Sequence, residues 1–387
     1  MSERKTSDLF VECLEAEGVQ YVFGIPGEET LDLSQSLADS PIRFIPVRHE
    51  QGGGYMADAY GRLTGRAGVC LGTLGPGATN LVTPVADAFL DRAPLVALTG
   101  QSDLERMHKE SHQYIDLLAI MRPVVKWSAR VSSPLIVPEV VRKAFKLAES
   151  EKPGSTHLEL PEDVLMRPLD AGGPVPLARH APVQPEPGMR ELQRATEVIM
   201  AAGHPIILAG NGAIRTHAAR ALRAFVHTTG ISVAETFMAK GLLDYEDPHA
   251  LGTVGLQSRD YELAGFDEAD VVIAVGYDLV EHAPAHWNPR GDKRIVVIDT
   301  VAAEIDANFI PTVELIGDIA HVLARLAAGC SRRPSNEVDG VRLRDLVRSA
   351  LADAQHDDHF PMRPPRVLSD IRRVLRREDI LVSDVGL

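Results

Sequence analysis

Apolar positions along this chain recur at two spacings. Leu9, Phe10, Cys13 and Leu14 fall at helical intervals, and Gly18 closes that stretch. Tyr21-Val22-Phe23 is a short unbroken apolar run ended by Gly24-Ile25-Pro26-Gly27, the pattern of a buried strand and its turn. The same alternation predicts strands over Ile42–Val47, Gly68–Leu74, Leu95–Thr99 and Thr156–Leu160. Helices are predicted between them over Gln51–Leu63, Ala78–Leu90 and Pro138–Glu149. Strands that are apolar on both faces and alternate with helices belong to a parallel sheet covered on both sides. From Arg167 to Gly188 the chain is rich in proline and glycine and reads as a linker. A second alternating block starts with a helix over Met189–Ala202. Its predicted strands are Pro205–Ala209, Ile231–Ala234, Val271–Val275, Arg294–Asp299 and Val313–Ile316, and a helix over Asp318–Ala328 closes it.

The predicted fold is therefore α/β, with two doubly wound parallel-sheet domains over residues 1–170 and 189–330, and a linker over 171–188. Residues 331–387 read as a further linker and the start of a third domain. There Gly329–Gly340 is expected to be loop, Val341–Asp357 and Pro365–Arg377 helical, and Ile380-Leu381-Val382 a buried strand.

Composition narrows the function classes. The 387 residues are 45% hydrophobic, enough for sizeable cores. Lys+Arg number 40 and Asp+Glu 54, a net charge of −14 that argues against nucleic-acid or anionic-membrane partners. Cys13, Cys70 and Cys330 lie far apart without a CxxC pair, which fits a reduced cytoplasm rather than a disulfide framework or zinc ribbon. The polar first residues show no signal peptide, and apolar runs such as Val271–Val275 are too short to span a bilayer.

The densest chemistry lies over Arg48–Arg62. Glu50 sits where a strand ends and a helix begins, the place where open α/β sheets hold ligands. A carboxylate there also serves as a plain charge partner for a helix N-terminus. Two glycine turns from neighbouring strands favour the ligand reading, Gly24-Ile25-Pro26-Gly27 and Gly75-Pro76-Gly77-Ala78-Thr79-Asn80. Glycines at strand ends let backbone approach a ligand closely.

These segments, with Arg48-His49-Glu50-Gln51, Tyr60-Gly61-Arg62-Leu63-Thr64-Gly65 and Pro94–Gly100, resemble the pyrimidine-binding domain of thiamine-diphosphate-dependent enzymes. Within that superfamily the chain resembles acetolactate synthase large subunits. The likeness extends through His112-Gln113, Pro123–Trp127 and Glu159–Val164. In the second domain, Val275-Gly276-Tyr277-Asp278, Trp287-Asn288 and Glu314–Ile319 look most like the FAD-independent, catabolic branch.

The resemblance implies a transferase that joins two pyruvates into 2-acetolactate with loss of CO2. It gives Glu50 contact with N1′ of the cofactor's aminopyrimidine, where proton sharing activates the thiazolium carbon as nucleophile and electron sink. Pro26, Gly27, Gly75, Pro76 and Asn80 match cofactor-lining positions. Gln113 matches a residue near the reacting centre, and Lys126 one of the active-site region. For Asn80 the plain alternative is helix capping, and for Gln113 and Lys126 an ordinary solvated side chain. A homodimer or homotetramer is implied, and FAD is disfavoured.

Mg²⁺ is implied too, held in this family by a third domain through Gly-Asp-Gly followed by Asn. The chain's Gly-Asp steps, Gly291-Asp292-Lys293 and Gly317-Asp318-Ile319, do not continue to that signature, so no metal ligand is assigned. The expectation is a chain short of its family by about one domain, without useful turnover alone. The alternatives are another thiamine-diphosphate-dependent 2-keto-acid decarboxylase or carboligase, or a silent fragment that only binds or dimerises.

Other signals are set aside. His108 and His112 are four apart but lack a third ligand. Gly210-Asn211-Gly212 begins a dinucleotide fingerprint, but Arg215 stands where the third glycine belongs. Glu139, Arg142, Lys143 and Lys146 read as a solvated helix face.

Overall fold

The computed structural model describes all residues except 1–3, 171, 181–183, 257–258, 333 and 384–387. It divides into two units, one running to Gln184 and the other starting at Pro185.

In the first unit, strands β1 (Tyr21–Gly24), β2 (Arg43–Pro46), β3 (Gly68–Gly72), β4 (Leu95–Gln101), β5 (Trp127–Arg130) and β6 (Ser155–Pro161) form one sheet. Their order is β2-β1-β3-β4-β6-β5, and every pairing is parallel. β3, β4 and β6 are buried along their whole length because helices cover both faces. Helices Thr6–Ala16 and Val137–Glu149 pack Phe10, Leu14, Val141 and Phe145 against Val69, Val96, Leu98 and Leu158. On the other face Ala57 and Val85, from helices Glu50–Thr64 and Val82–Leu90, meet Cys70, Leu95 and Ala97. The chain runs from β1 outward to β2 and then returns to the far side of β1 for β3. Loops leaving β1 and β3 therefore part in opposite directions and open a crevice at their carboxyl ends.

The second unit repeats the scheme with β7 (Pro205–Ala209), β8 (Val233–Thr236), β9 (Ala250–Val254), β10 (Val271–Val275), β11 (Arg294–Asp299) and β12 (Val313–Ile316). The order is β12-β11-β10-β7-β8-β9, again all parallel, so the reversal falls between β7 and β10. Helices Ala219–Thr229 and Ile319–Gly329 cover one face. An aromatic cluster of Tyr261, Phe266, Tyr277, Trp287 and Phe309 fills the other.

The predicted α/β class with two parallel sheets is what the structure has, and the differences lie at the margins. Edge strands β5 and β9 were not predicted. Trp-Ser-Ala-Arg in β5 is only half-buried, and β9 contains Gly252 at φ +85° beside a register shift at Val233/Ala234. Part of the expected Gly329–Gly340 loop is helix. The element runs Pro334–Ala352, with proline tolerated in the first turn and Leu343 packed on Gly265. The expected strand Ile380-Leu381-Val382 is irregular and exposed, and the residues that would follow it, Asp384–Leu387, lie outside the described ones. Among the described residues no helix is long and apolar enough to cross a membrane.

Candidate active site

The first-unit crevice is organised around the start of helix Glu50–Thr64. His49 is extended (φ −151°, ψ 136°) and its Nδ1 accepts the Gln51 N–H at 3.2 Å, so the helix begins just after β2 with Glu50 as its first residue. Gly53 lets the helix lie on β1: a β-carbon there would sit 3.1 Å from the Phe23 carbonyl oxygen. Glu50 is buried, with 8% of its surface exposed.

The turn after β3 reaches the same carboxylate. Asn80 Nδ2 donates to Glu50 Oε2 at 2.9 Å. The other oxygen, Oε1, faces Gly77, where a β-carbon would lie 3.3 Å away. Gly75 adopts φ +46°, a conformation that favours glycine, and Pro76 follows it in the first turn of helix Gly75–Asn80. Gln113 is itself left-handed at φ 55°, and its carbonyl oxygen would lie 2.6 Å from a β-carbon at Gly75. The turn after β1 joins through Thr73. Its Oγ1 donates to Glu29 Oε2 at 2.6 Å, and the same atom would lie 2.4 Å from a β-carbon at Gly27. Pro26 lies exposed in that turn. The structure thus gathers Glu50, Asn80, Gly75, Pro76 and Gln113, with Gly27 and Pro26 beside them.

Lys126 is not brought to this group. It precedes β5, at the opposite end of the parallel sheet from Glu50. Its Nζ donates to the carbonyls of Ser150 (2.8 Å) and Lys152 (2.6 Å), just past helix Val137–Glu149. Burial pushes its ammonium down to about 8, against the pull of Glu151. The expected solvated face of that helix holds for Glu139, Lys143 and Lys146, which are exposed, with Lys143 4.6 Å from the Trp127 ring centre; Arg142 departs from it and pairs with the buried carboxylate of Glu17.

Two features were not marked by the sequence pattern. At the carboxyl ends of β4, β5 and β6, fully buried Glu159 pairs with Arg130 and accepts Gln101 Nε2 at 2.9 Å. Gln101 also donates to the Ile115 carbonyl at 3.1 Å, which steadies the segment bearing Gln113. The available signal was a polar residue inside an apolar strand. Behind it, His157 bonds Thr99 and Ser128, each at 2.8 Å, and burial pushes its imidazole down to about 3.

The second feature is Glu281, 5% exposed, at the reversal between β7 and β10. Its Oε1 accepts the N–H groups of Asn211 (3.0 Å) and Asp278 (3.2 Å), and its Oε2 the Thr236 hydroxyl. A β-carbon at Gly210 would lie 2.6 Å from Oε1. Burial pushes this carboxyl up to about 7 against those hydrogen bonds. Among the described residues, His108 and His112 gather no third ligand. Among the described residues, one group of three His, Cys, Asp or Glu side chains is close enough to share an ion: His227, Asp247 and His249.

Comparison with known proteins bears on the first-unit crevice directly. Residues 4–120 match the family described as "Thiamine pyrophosphate enzyme, N-terminal TPP binding domain", and residues 192–326 match its central domain. A probable acetolactate synthase large subunit of Methanocaldococcus jannaschii is 34% identical over 99% of this chain and 67% of its own length. The catabolic acetolactate synthase of Raoultella terrigena is 34% identical over 98% of the chain and 68% of its own length. The acetolactate synthase of Bacillus subtilis is 32% identical over 99% and 68%. The chain spans about two-thirds of the length of these relatives.

Proposed function

This chain belongs to the acetolactate synthase large-subunit family of thiamine-diphosphate enzymes, and we propose that its Glu50 crevice serves the decarboxylation of pyruvate and the joining of the two-carbon unit to a second pyruvate, giving 2-acetolactate and CO2. The observation that carries this reading is the placement of Glu50. It is buried at the reversal point of the sheet, with one oxygen held by Asn80 and the other turned to glycine-lined backbone. That donor set fits the aminopyrimidine end of thiamine diphosphate. When bound, the cofactor supplies the carbon nucleophile and electron sink for 2-keto acids.

The chain's own residues do the rest. Asn80 fixes the Glu50 carboxylate, so Oε1 is the oxygen assigned to hold the proton shared with the pyrimidine N1′. Gly27, Gly75 and Gly77 keep side chains out of the crevice, and Pro26 and Pro76 stiffen its two turns. Gln113 is assigned to the substrate side, held by the Gln101–Ile115 bond. Lys126 is assigned a clamping role at the far end of the sheet.

Mg²⁺ enters the proposal through the family. Among the described residues of the first unit no trio of His, Cys, Asp or Glu gathers to hold it. Supporting a flavin-free second unit, Glu281 fills the space beside Gly210 and takes up the backbone N–H of Asn211. The reading is therefore FAD-free. A cytoplasmic location is proposed from three free, buried cysteines, and a homodimer or homotetramer from the family.

Calorimetric titration with thiamine diphosphate and Mg²⁺, alongside Glu50→Ala and an acetolactate assay, tests this. Glu50→Ala should weaken binding and lower any acetolactate formation by roughly 10²–10⁴-fold while the circular dichroism is unchanged. A variant that binds and turns over like wild type would refute the assignment of Glu50.

A further inference from the structure

The second unit carries a side-chain group on the edge of its sheet that the acetolactate chemistry does not use. His227 stands in the last turn of helix Ala219–Thr229, and Asp247 and His249 stand in the turn that leads into β9. We propose that His227, Asp247 and His249 bind a divalent transition-metal ion of the zinc type.

Backbone bonds fix the three positions. Val233 N–H donates to the His249 carbonyl at 2.9 Å and ties it to β8, while Ala250 N–H donates to the Asp247 carbonyl at 3.1 Å. Asp247 Oδ1 accepts the His249 N–H at 2.9 Å, which leaves Oδ2 for other partners. That oxygen lies 3.1 Å from His227 Nε2. The imidazole rings are 5.4 Å apart between centres and nearly perpendicular, at 76°.

One ligand atom from each residue lies within 4.8 Å of the others. Zinc bonds of about 2.0–2.1 Å in tetrahedral array put neighbouring ligand atoms roughly 3.3 Å apart. The His227–Asp247 pair already has that spacing, and His249 closes the set by moving no more than about 1.5 Å. Two imidazoles and one carboxylate suit Zn²⁺ over Mg²⁺ or Ca²⁺, which prefer all-oxygen sites. His249 is buried, Asp247 intermediate and His227 exposed, so the fourth position opens to solvent.

The turn is also a junction. Arg344 donates to the Glu246 carbonyl at 2.9 Å and Arg348 to its carboxylate at 2.8 Å, while Arg377 pairs with Asp244. Asn336 Nδ2 reaches the Thr229 carbonyl at 3.1 Å, two residues past His227. An ion here would clamp helix Ala219–Thr229 to the start of β9, and helix Pro334–Ala352 joins them through Asn336, Arg344 and Arg348. Its role is structural and independent of Glu50.

The test starts from full chain stripped with a chelator. Zn²⁺ is titrated by calorimetry, Co²⁺ by its visible absorption, and Tm is read with and without Zn²⁺. The expected result is one saturable equivalent, four-coordinate Co²⁺ bands and a Tm rise with Zn²⁺ that Mg²⁺ does not reproduce. His227→Ala should weaken binding by more than about tenfold and remove the Tm rise. His286→Ala, which breaks the His282–His286 ring pair elsewhere in the second unit, should leave both unchanged. His227 is exposed, so its loss spares the core; Asp247→Asn keeps the turn's acceptor and decides the matter if His227→Ala misfolds. Absence of saturable binding, indifference to His227→Ala and Asp247→Asn, or loss with His286→Ala would each overturn the proposal and leave an ordinary His–Asp ion pair.

Discussion

Glu50 and Glu281 occupy comparable places, each at the crevice where its sheet reverses, yet their surroundings differ in what they leave free. Glu50 is held through one oxygen, and the other faces open glycine backbone. Glu281 has both oxygens engaged, by two backbone N–H groups and a hydroxyl. The first arrangement leaves a carboxylate able to exchange a proton with a ligand, and the second closes a crevice. Burial raises Glu281 from the ordinary 4.5 to about 7. A raised folded-state value means that its contribution to stability is full below about pH 4.5 and is lost as pH rises through 7. Gln at this position copies the protonated form. The Tm of Glu281→Gln relative to wild type should therefore climb between pH 5 and 8 and level off above; a gap constant across that range would show that Glu281 does not titrate there. Glu50 was legible because glycine turns flank it in sequence. Glu281 was not, because its meaning rests on the close approach of Gly210, which only the fold reveals. Lys126 shows a further limit, since a matched sequence segment carries residue identity but not the end of the sheet at which a side chain finishes.

Among elements, strands buried on both faces announce themselves as continuous apolar runs, so β3, β4, β6, β10 and β11 were readable. Edge strands β5 and β9 have one neighbour and partial burial, so their composition stays mixed. Helix Val137–Glu149 misled in another way. Its Glu139, Lys143 and Lys146 are exposed as a solvated face requires, but Arg142 reaches into the contact with helix Thr6–Ala16 and pairs with Glu17, whose side chain is 2% exposed. Burial raises the Glu17 carboxyl and the Arg142 pairing opposes that rise. Helical periodicity cannot show that two charges separated by 125 positions meet inside a protein. Among the described residues, Arg142→Ala should leave the buried Glu17 carboxylate with Arg179, at 4.0 Å, as its remaining ion-pair partner. The expected loss is about 3–5 kcal/mol in urea unfolding. Replacing both partners with methionine should recover most of it. A single variant within about 0.5 kcal/mol of wild type would mean that the pair is solvated after all.

At the scale of the whole molecule, the features gathered at the Glu50 crevice address only one end of the cofactor. Glu50, Asn80 and the glycine turns suit a neutral heterocycle with a ring nitrogen to protonate. A diphosphate instead needs cations or backbone N–H groups, on a chain whose net charge is −14. Among the described residues the trio able to share an ion sits in the second unit and is built of two imidazoles and a carboxylate, a set suited to zinc rather than Mg²⁺. It follows that these 387 residues should distinguish poorly between thiamine diphosphate and thiamine. The expected ratio of affinities is under about tenfold, or 1.4 kcal/mol, with little gain from Mg²⁺. Competition of the two ligands in calorimetry, with and without Mg²⁺, measures it. A Mg²⁺-dependent preference of more than about 100-fold would place a working diphosphate site within these residues and would move the search from Glu50 to the backbone N–H groups of the turns after β1 and β3.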